Sequence, residues 1–476
     1  METIDIKKLS YEKKIDLASN NETSAELLSA LAQDEHSDIR LTVASNTNTP
    51  ANVLATLAKD QNRDVRLEVA YNTSTSSEVL ATLAGDEYYS VRLEVAGNKN
   101  SPIEALEVLA SDKEPDIRKA VAENPNTPHS TLVMLEKDIN LDVRASVARN
   151  NNTPVETLVM LASDKDCWVR QTVAKNENTP KESLAILAKD NVYEVRKAVA
   201  TNGNTSAEVL AVLAQDKHRL VRQAVAYNEN TPDELLSILA KDKDIDVRRA
   251  VAKNGNTSAD ALAMLTKDVD IDVRCAVAEN KNTPVELLAV LAQDEDYWVR
   301  CAVALNKNTS VEVLAVLAKD EVYEVRTAVA ANGKTSVDIL AMLAKDEESD
   351  VRCAVTNNRN TPVNVLAMLA KDDEWRVRYA VAWNESTPAD VLAMLVSDKT
   401  WCVRSAVARN KNTPIEFLTV LAQDEEWRVR SAVAWNENTP ADVLAMLTKD
   451  KNVLVSENAE EALKECKEKD KTRMER

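Results

Sequence analysis

Phenylalanine occurs once in 476 residues, at Phe417, and aromatic residues together make up only 4% of the chain. A core without aromatic bulk has to be built from Leu, Val and Ala. Such small side chains suit thin, regular helical layers rather than one thick core. Glycine is also scarce, with five residues. That argues against folds rich in β-turns and against glycine-rich phosphate loops. Six cysteines are present (Cys167, Cys275, Cys301, Cys353, Cys402 and Cys466), and no two stand close enough for a CxxC pair. Reduced cysteines are therefore expected rather than a zinc site or disulfides. The three histidines, His36, His129 and His218, are scattered and read as surface residues. No Ser-His-Asp, HExxH or Walker-type motif occurs, so neither a cofactor nor a metal is expected. No apolar stretch approaches membrane-spanning length. The opening METIDIKKLSYEKKIDLAS lacks the apolar run of a signal peptide. The expectation is a soluble, cytoplasmic protein. Its formal net charge of −19 disfavours nonspecific binding of nucleic acid, but leaves local basic patches open.

What the sequence has in abundance is repetition. Val-Arg or Ile-Arg pairs recur from Arg40 to Arg430 at an unbroken spacing of 26 residues. A fixed period without insertions is the mark of a solenoid. One unit runs from Val169 to Glu194 and predicts two helices. The first opens at Thr179-Pro180, with Thr as N-cap, Pro at the first helical position and Glu182 completing a capping box. Leu184, Ile186, Leu187 and Ala188 then supply helical periodicity. The second helix follows Asp190, which is expected to cap it. Val195, Ala198 and Val199 form its buried stripe, and Asn202 is expected to close it in a left-handed conformation. The Asp, Arg and Asn columns occur in nearly every unit. A catalytic role for them fails on multiplicity, since an active site is one place.

The ends depart from the pattern. Residues 1–20 keep Leu17, Ala18 and Asn20 but place Lys14 where the Arg belongs, and read as an N-terminal capping helix. Residues 21–450 form the repeat array. Residues 451–476, where Ser456 replaces the Arg, read as a charged C-terminal cap and tail.

The pattern NTPxExLxxLAxDxxxxVRxAVAxN, as in Asn282–Asn306, resembles the leucine-rich repeat variant family, or LRV. The resemblance implies a right-handed superhelix of α-helices alternating with shorter 3₁₀ segments. The second helix is also similar to HEAT repeats. The expected fold is thus all-α, a right-handed α-solenoid of about 17 two-helix repeats. One LRV protein carries an N-terminal iron–sulfur cluster on clustered cysteines. This chain has no cysteine before Cys167, so the cluster is not expected here.

Function is sought where the framework varies. On the second helix the positions three before, one after and five after the Arg lie opposite the core stripe and form one exposed stripe. HEAT-like solenoids line their concave surface with second helices, so this stripe should line a groove. It carries twelve of the seventeen aromatic residues, with nine Lys or Arg against two Glu. The residues expected to bind a partner are Trp375, Tyr379, Trp383, Trp401, Arg409, Trp427 and Trp435 near the end. In the middle they are Lys175, Lys197, Arg219, Tyr227, Arg249 and Lys253. Arg409, between Trp383 and Trp435 in its column, could stack on either ring or receive a carboxylate. The competing structural explanation is that these aromatics only pack between repeats. A non-enzymatic scaffold binding a protein or extended peptide, acidic with apolar anchors, is the expected function. A nucleic-acid-binding solenoid is one alternative, and an amplified or engineered array without a dedicated ligand is another. Catalysis of the kind found in HEAT-like DNA glycosylases is not expected. Only Glu123 and Glu279 lie on the stripe, and neither has a Trp close by position.

Overall fold

The structure, a computed structural model, describes residues 6–474. Among these residues are thirty-five α-helices, one 3₁₀ turn at Ile6–Lys8 and no strand. The fold is an all-α solenoid of helix pairs. The chain divides into two compact units, Met1–Leu239 and Ala240–Arg476, built in the same way.

One repeat of the first unit shows how the sequence produces the fold. The short helix Lys181–Leu187 has seven residues. Pro180 stands at its N-cap position with φ −65° and ψ 149°, a φ that the ring fixes in advance. The helix tightens as it ends, Lys189 N–H donating to Ile186 O at 3.0 Å. Asp190 then turns the chain, its Oδ1 accepting from Val192 N–H at 2.9 Å. The long helix Tyr193–Thr201 follows with nine residues. Leu184, Leu187, Val195 and Val199 are buried and form the hydrophobic layer. Both helices are α-helical, so the expected alternation of α and 3₁₀ segments is not found.

Long helices pack along their length against the long helices of neighbouring repeats, whereas short helices barely touch one another. The reason lies in side-chain size. The long helix presents Val and Ala to its neighbours, with Ala198 and Ala200 buried, and small residues let helix axes approach closely.

Three of the expected caps act differently. Thr179 does not cap the short helix; its hydroxyl donates to Val173 O of the preceding long helix at 2.6 Å. Ser in place of Pro caps in some repeats: Ser206 Oγ accepts from Val209 N–H at 3.4 Å, whereas Ser76 makes no such bond. Asp190 lies two residues before the N-cap Val192 rather than at it. Asn202 has φ −73° and ψ 127°, which is extended and not left-handed. Among the described residues no side-chain-bearing residue has positive φ.

These columns instead tie one repeat to the next. Asn202 Nδ2 donates to Ala174 O at 2.8 Å and Asn176 O at 3.0 Å, both in the preceding repeat. Within each unit the framework arginines reach forward to the Asp of the following repeat. In the first unit this runs from Arg40–Asp60 to Arg196–Asp216, at 2.5–2.6 Å. In the second it runs from Arg248–Asp268 to Arg430–Asp450, at 2.5–2.7 Å. Near the N-terminus Lys14 does the same work, pairing with Asp34 at 2.6 Å. Buried ion pairs add little net stability, but losing one partner is severe. The ladder therefore fixes which repeat stacks on which.

The last helix, Val453–Met474, is far longer than the others. Its Val455 and Ala459 are buried, and it packs on the helices Trp427–Ala434 and Ala441–Leu447. Asn458 Nδ2 donates to Ser431 Oγ at 2.9 Å. The side chain of Cys466 lies outside the described residues.

Candidate functional site

The stripe is not uniformly exposed. Residues one after the framework Arg sit between adjacent long helices, except that Lys197 is exposed. Leu41, Leu67, Leu93, Cys275 and Tyr379 are half-buried, and Cys301 is buried. Residues three before and five after the Arg line the open face. This follows from close packing of the long helices, which closes over the middle of each one.

The five cysteines with described side chains are free. Burial first, then neighbouring carboxylates, push Cys275 and Cys301 up to about 11, while Cys167 is exposed. In a Cys466→Ser background a thiol reagent at pH 8 should modify Cys167 first, with Cys275 and Cys301 at least about tenfold slower, because the thiolate is the nucleophile. Equal rates at the three positions would contradict this.

The densest part of the face lies in the second unit. Trp375, Tyr379 and Trp383 occupy successive turns of the helix Trp375–Trp383. Trp375 meets Tyr379 edge-on at 6.4 Å, and Tyr379 stacks on Trp383 at 5.9 Å and 13°. The next long helix, Trp401–Arg409, carries Trp401 and Arg409 at its ends. The one after it, Trp427–Ala434, begins with Trp427 and is capped by Trp435. Trp383 and Trp435 remain more than half exposed, at 51% and 57%.

Two hollows open on this face. One, of about 370 Å³, is walled by Trp375, Tyr379, Trp383 and Trp401, with Arg376 and Arg409 at its polar edge. The other, of about 460 Å³, lies between Trp383 and Trp435, over Arg409, Asn410, Lys411 and Glu385. Trp383 and Arg409 belong to both. Lys411 is paired with Glu385 at 2.8 Å. Among the described residues the Arg409 guanidinium has no ion pair and lies over no ring.

The expected stacking role falls to another arginine. The Arg428 guanidinium lies 5.0 Å from the Trp401 ring centroid and 4.7 Å from that of Trp427, and donates to Glu426 at 2.8 Å. Arg376 lies 5.9 Å from the Trp375 ring. Both arginines stand two before the framework Arg, next to the stripe. Trp168 and Trp298 hold that position in earlier repeats and are exposed, at 46% and 61%. A stripe drawn at four-residue spacing passes beside these positions. The signal was available in their variability along the array.

The middle residues are not gathered into this site. Lys175, Lys197, Arg219 and Tyr227 belong to the first unit, Arg249 and Lys253 to the second. Lys175 lies 5.9 Å from the Trp168 ring, beside a hollow of about 330 Å³ that Arg149 also lines. Tyr227 is exposed. Arg249 is engaged with Asp246 at 2.6 Å and Asp272 at 3.2 Å. His218 is half-buried, its ring stacked on Tyr193 at 3.7 Å. Among the described residues no cluster of His, Cys, Asp or Glu could hold a metal ion, and no helix is long and apolar enough to cross a membrane.

Repeated helix pairs, joined by side-chain ladders that reach one repeat away, define an α-solenoid repeat protein. Residues 141–166 and 271–296 match the leucine rich repeat variant family, and residues 194–255 match the Leucine Rich Repeat Variant domain. Over these stretches, which follow its 26-residue register, the chain is similar to the leucine-rich repeat variant family. No curated protein matches it. Among solved structures it is similar to a leucine-rich repeat variant with a novel repetitive structural motif, at 28% identity and TM-score 0.37, covering 46% of this chain and 87% of that one. A second similar structure, from a study of Kap95p binding to RanGDP, has 11% identity and TM-score 0.34, covering 95% and 66%. An engineered protein has 19% identity and TM-score 0.16, covering 94% and 98%.

Proposed function

We propose that the chain is a non-catalytic scaffold that binds a protein or extended peptide on the long-helix face of its second unit. Residues 1–20 and 451–476 serve as its polar caps. The observation that carries this reading is the pair of hollows sharing Trp383 and Arg409, walled by exposed tryptophans beside an unpaired guanidinium. Rigid rings around one charged group are typical of interface anchors. Tryptophans exposed together on one face, rather than singly, call for a cover. The chain works in the cytoplasm on this reading, and the framework columns serve the fold alone.

The test is capture from a lysate of the source cells, with the full chain and with a Trp383→Ala, Trp435→Ala variant, read by quantitative mass spectrometry. A partner should be enriched on the original chain and lost by about tenfold or more on the variant. The variant's unfolding should shift by no more than about 1–2 kcal/mol, since one ring pair is all that is removed. Capture that disappears with nuclease, or falls steeply with salt, would reassign the face to nucleic acid. Identical capture by both proteins would sink the proposal.

A further inference from the structure

We infer that this face selects an internal acidic residue of an extended peptide, seated on Arg409, with a large apolar side chain on each side. This rests on the peptide-binding reading and specifies its chemistry. Most arginines of the fold are already answered. The framework arginines hold aspartates, Arg249 holds Asp246 and Asp272, Arg149 pairs with Glu123, and Arg428 with Glu426. Arg376 and Arg409 differ. They line one hollow together, no carboxylate lines it with them, and among the described residues neither has an ion pair. In a chain of net charge −19, two such guanidinia lining one hollow make a local positive site.

A guanidinium fork matches a carboxylate in two parallel hydrogen bonds. Ring walls exclude water from part of the contact, which strengthens it. Apolar surface lies on both sides of Arg409, with Trp375 and Trp401 towards one hollow and Trp435 across the other. A chain that uses both sides has to pass over Arg409. The carboxylate therefore belongs to an internal Asp or Glu and not to a free C-terminus. Hollows of about 370 and 460 Å³ are of the size that takes a large side chain.

The probe is a displayed library of random peptides, selected on the full chain, with the enriched peptides then synthesised. They should carry Asp or Glu between two of Trp, Phe, Tyr, Leu, Ile or Met. Calorimetry should show binding about tenfold weaker to Arg409→Gln than to the original chain. Changing the peptide acid to its amide should weaken binding to the original chain by a similar factor, and to Arg409→Gln by little more. If enriched peptides bind Arg409→Gln normally, or bind equally well as amides, yet lose binding to Trp383→Ala, Trp435→Ala, the acidic assignment is overturned and the peptide-binding face stands. If no peptide is enriched, or binding ignores all three substitutions, the face itself is wrong and this inference falls with it. Thermal melts of each variant separate lost contacts from lost folding.

Discussion

Arg326→Ala should destabilise its part of the second unit by about 3–5 kcal/mol, the range for breaking one side of a buried ion pair. Arg326 Nε donates to Asp346 Oδ2 at 2.6 Å and Nη2 to Oδ1 at 2.9 Å. Its Nη1 donates to the carbonyls of Asp320 at 2.8 Å and Glu321 at 3.1 Å. One side chain thus closes the turn of its own repeat and holds the turn of the next. Burial pushes the Asp346 carboxyl up. Hydrogen bonds from Arg326 and from the Glu348 amide, with the charges of Arg326 and Arg352, outweigh burial and hold it below its ordinary value. Without Arg326 the carboxylate stays buried with its main counter-charge gone. A double variant with Asp346→Ala should therefore recover much of the loss, because neither charge is then stranded. A depressed carboxyl gives stability that is present above its unfolded pKa and lost as pH falls through the folded one. The difference between Arg326→Ala and the original chain should accordingly shrink below about pH 4. Hydrogen exchange should accelerate around residues 320–346 and little elsewhere, since each repeat touches only its neighbours. A uniform rise along the unit would contradict the ladder account.

The period, the two helices per repeat and the buried stripe of Val195, Ala198 and Val199 were all legible in the sequence. They depend on spacing within about ten residues, where helical geometry dictates which side chains share a face. The roles of Thr179, Asp190 and Asn202 were not. Local rules assign such residues to the nearest helix end. Asn202 actually donates to carbonyls 26 and 28 residues earlier, and Asp190 accepts from Arg170, 20 residues before it. Polar columns in a repeat array answer to the neighbouring repeat, and a cap rule cannot see that far. Ile186 shows the same limit for apolar residues. Read as part of a helical stripe, it is 59% exposed, because the short helices stand too far apart to cover it. On the candidate face, the rows of Trp and Arg409 could be placed from the register. The capture of Trp401 and Trp427 by Arg428 could not. A long guanidinium arm reaches a face that its own Cα does not occupy. Those two rings serve partly as packing between repeats, so Trp383 and Trp435 are the cleaner probes of binding.

Asn306→Asp should be among the most damaging single-atom exchanges in the fold, and its pH dependence should run opposite to that of the arginine ladder. Asn306 is buried. Its Nδ2 donates to Ala278 O at 2.6 Å and Asn280 O at 3.1 Å, while Oδ1 accepts from Asn308 N–H at 2.8 Å. A carboxylate in this place can still accept from Asn308. It offers no donor to the two carbonyls, and it turns a negative oxygen towards them. The Ala278 carbonyl loses its side-chain donor, the Asn280 carbonyl keeps only the Thr283 N–H at 3.1 Å, and a charge is buried beside them, which together cost about 3–5 kcal/mol at pH 7. The new carboxyl's pKa in the folded chain must rise, because protonation removes the charge and restores one donor. A group with a raised folded pKa is bound by more protons when folded, so the variant regains stability as pH falls through that value. The original chain moves the other way. Its paired aspartates are held low, as Asp34 is at about 2 by the hydrogen bonds of Lys14 and the His36 amide working against burial, so acid removes their contribution. Urea denaturation of both proteins from pH 7 down to pH 5 should therefore show their difference narrowing before the original chain begins to weaken. A difference that stays constant or widens over that range would mean that the Asn306 amide hydrogens are not what joins these repeats.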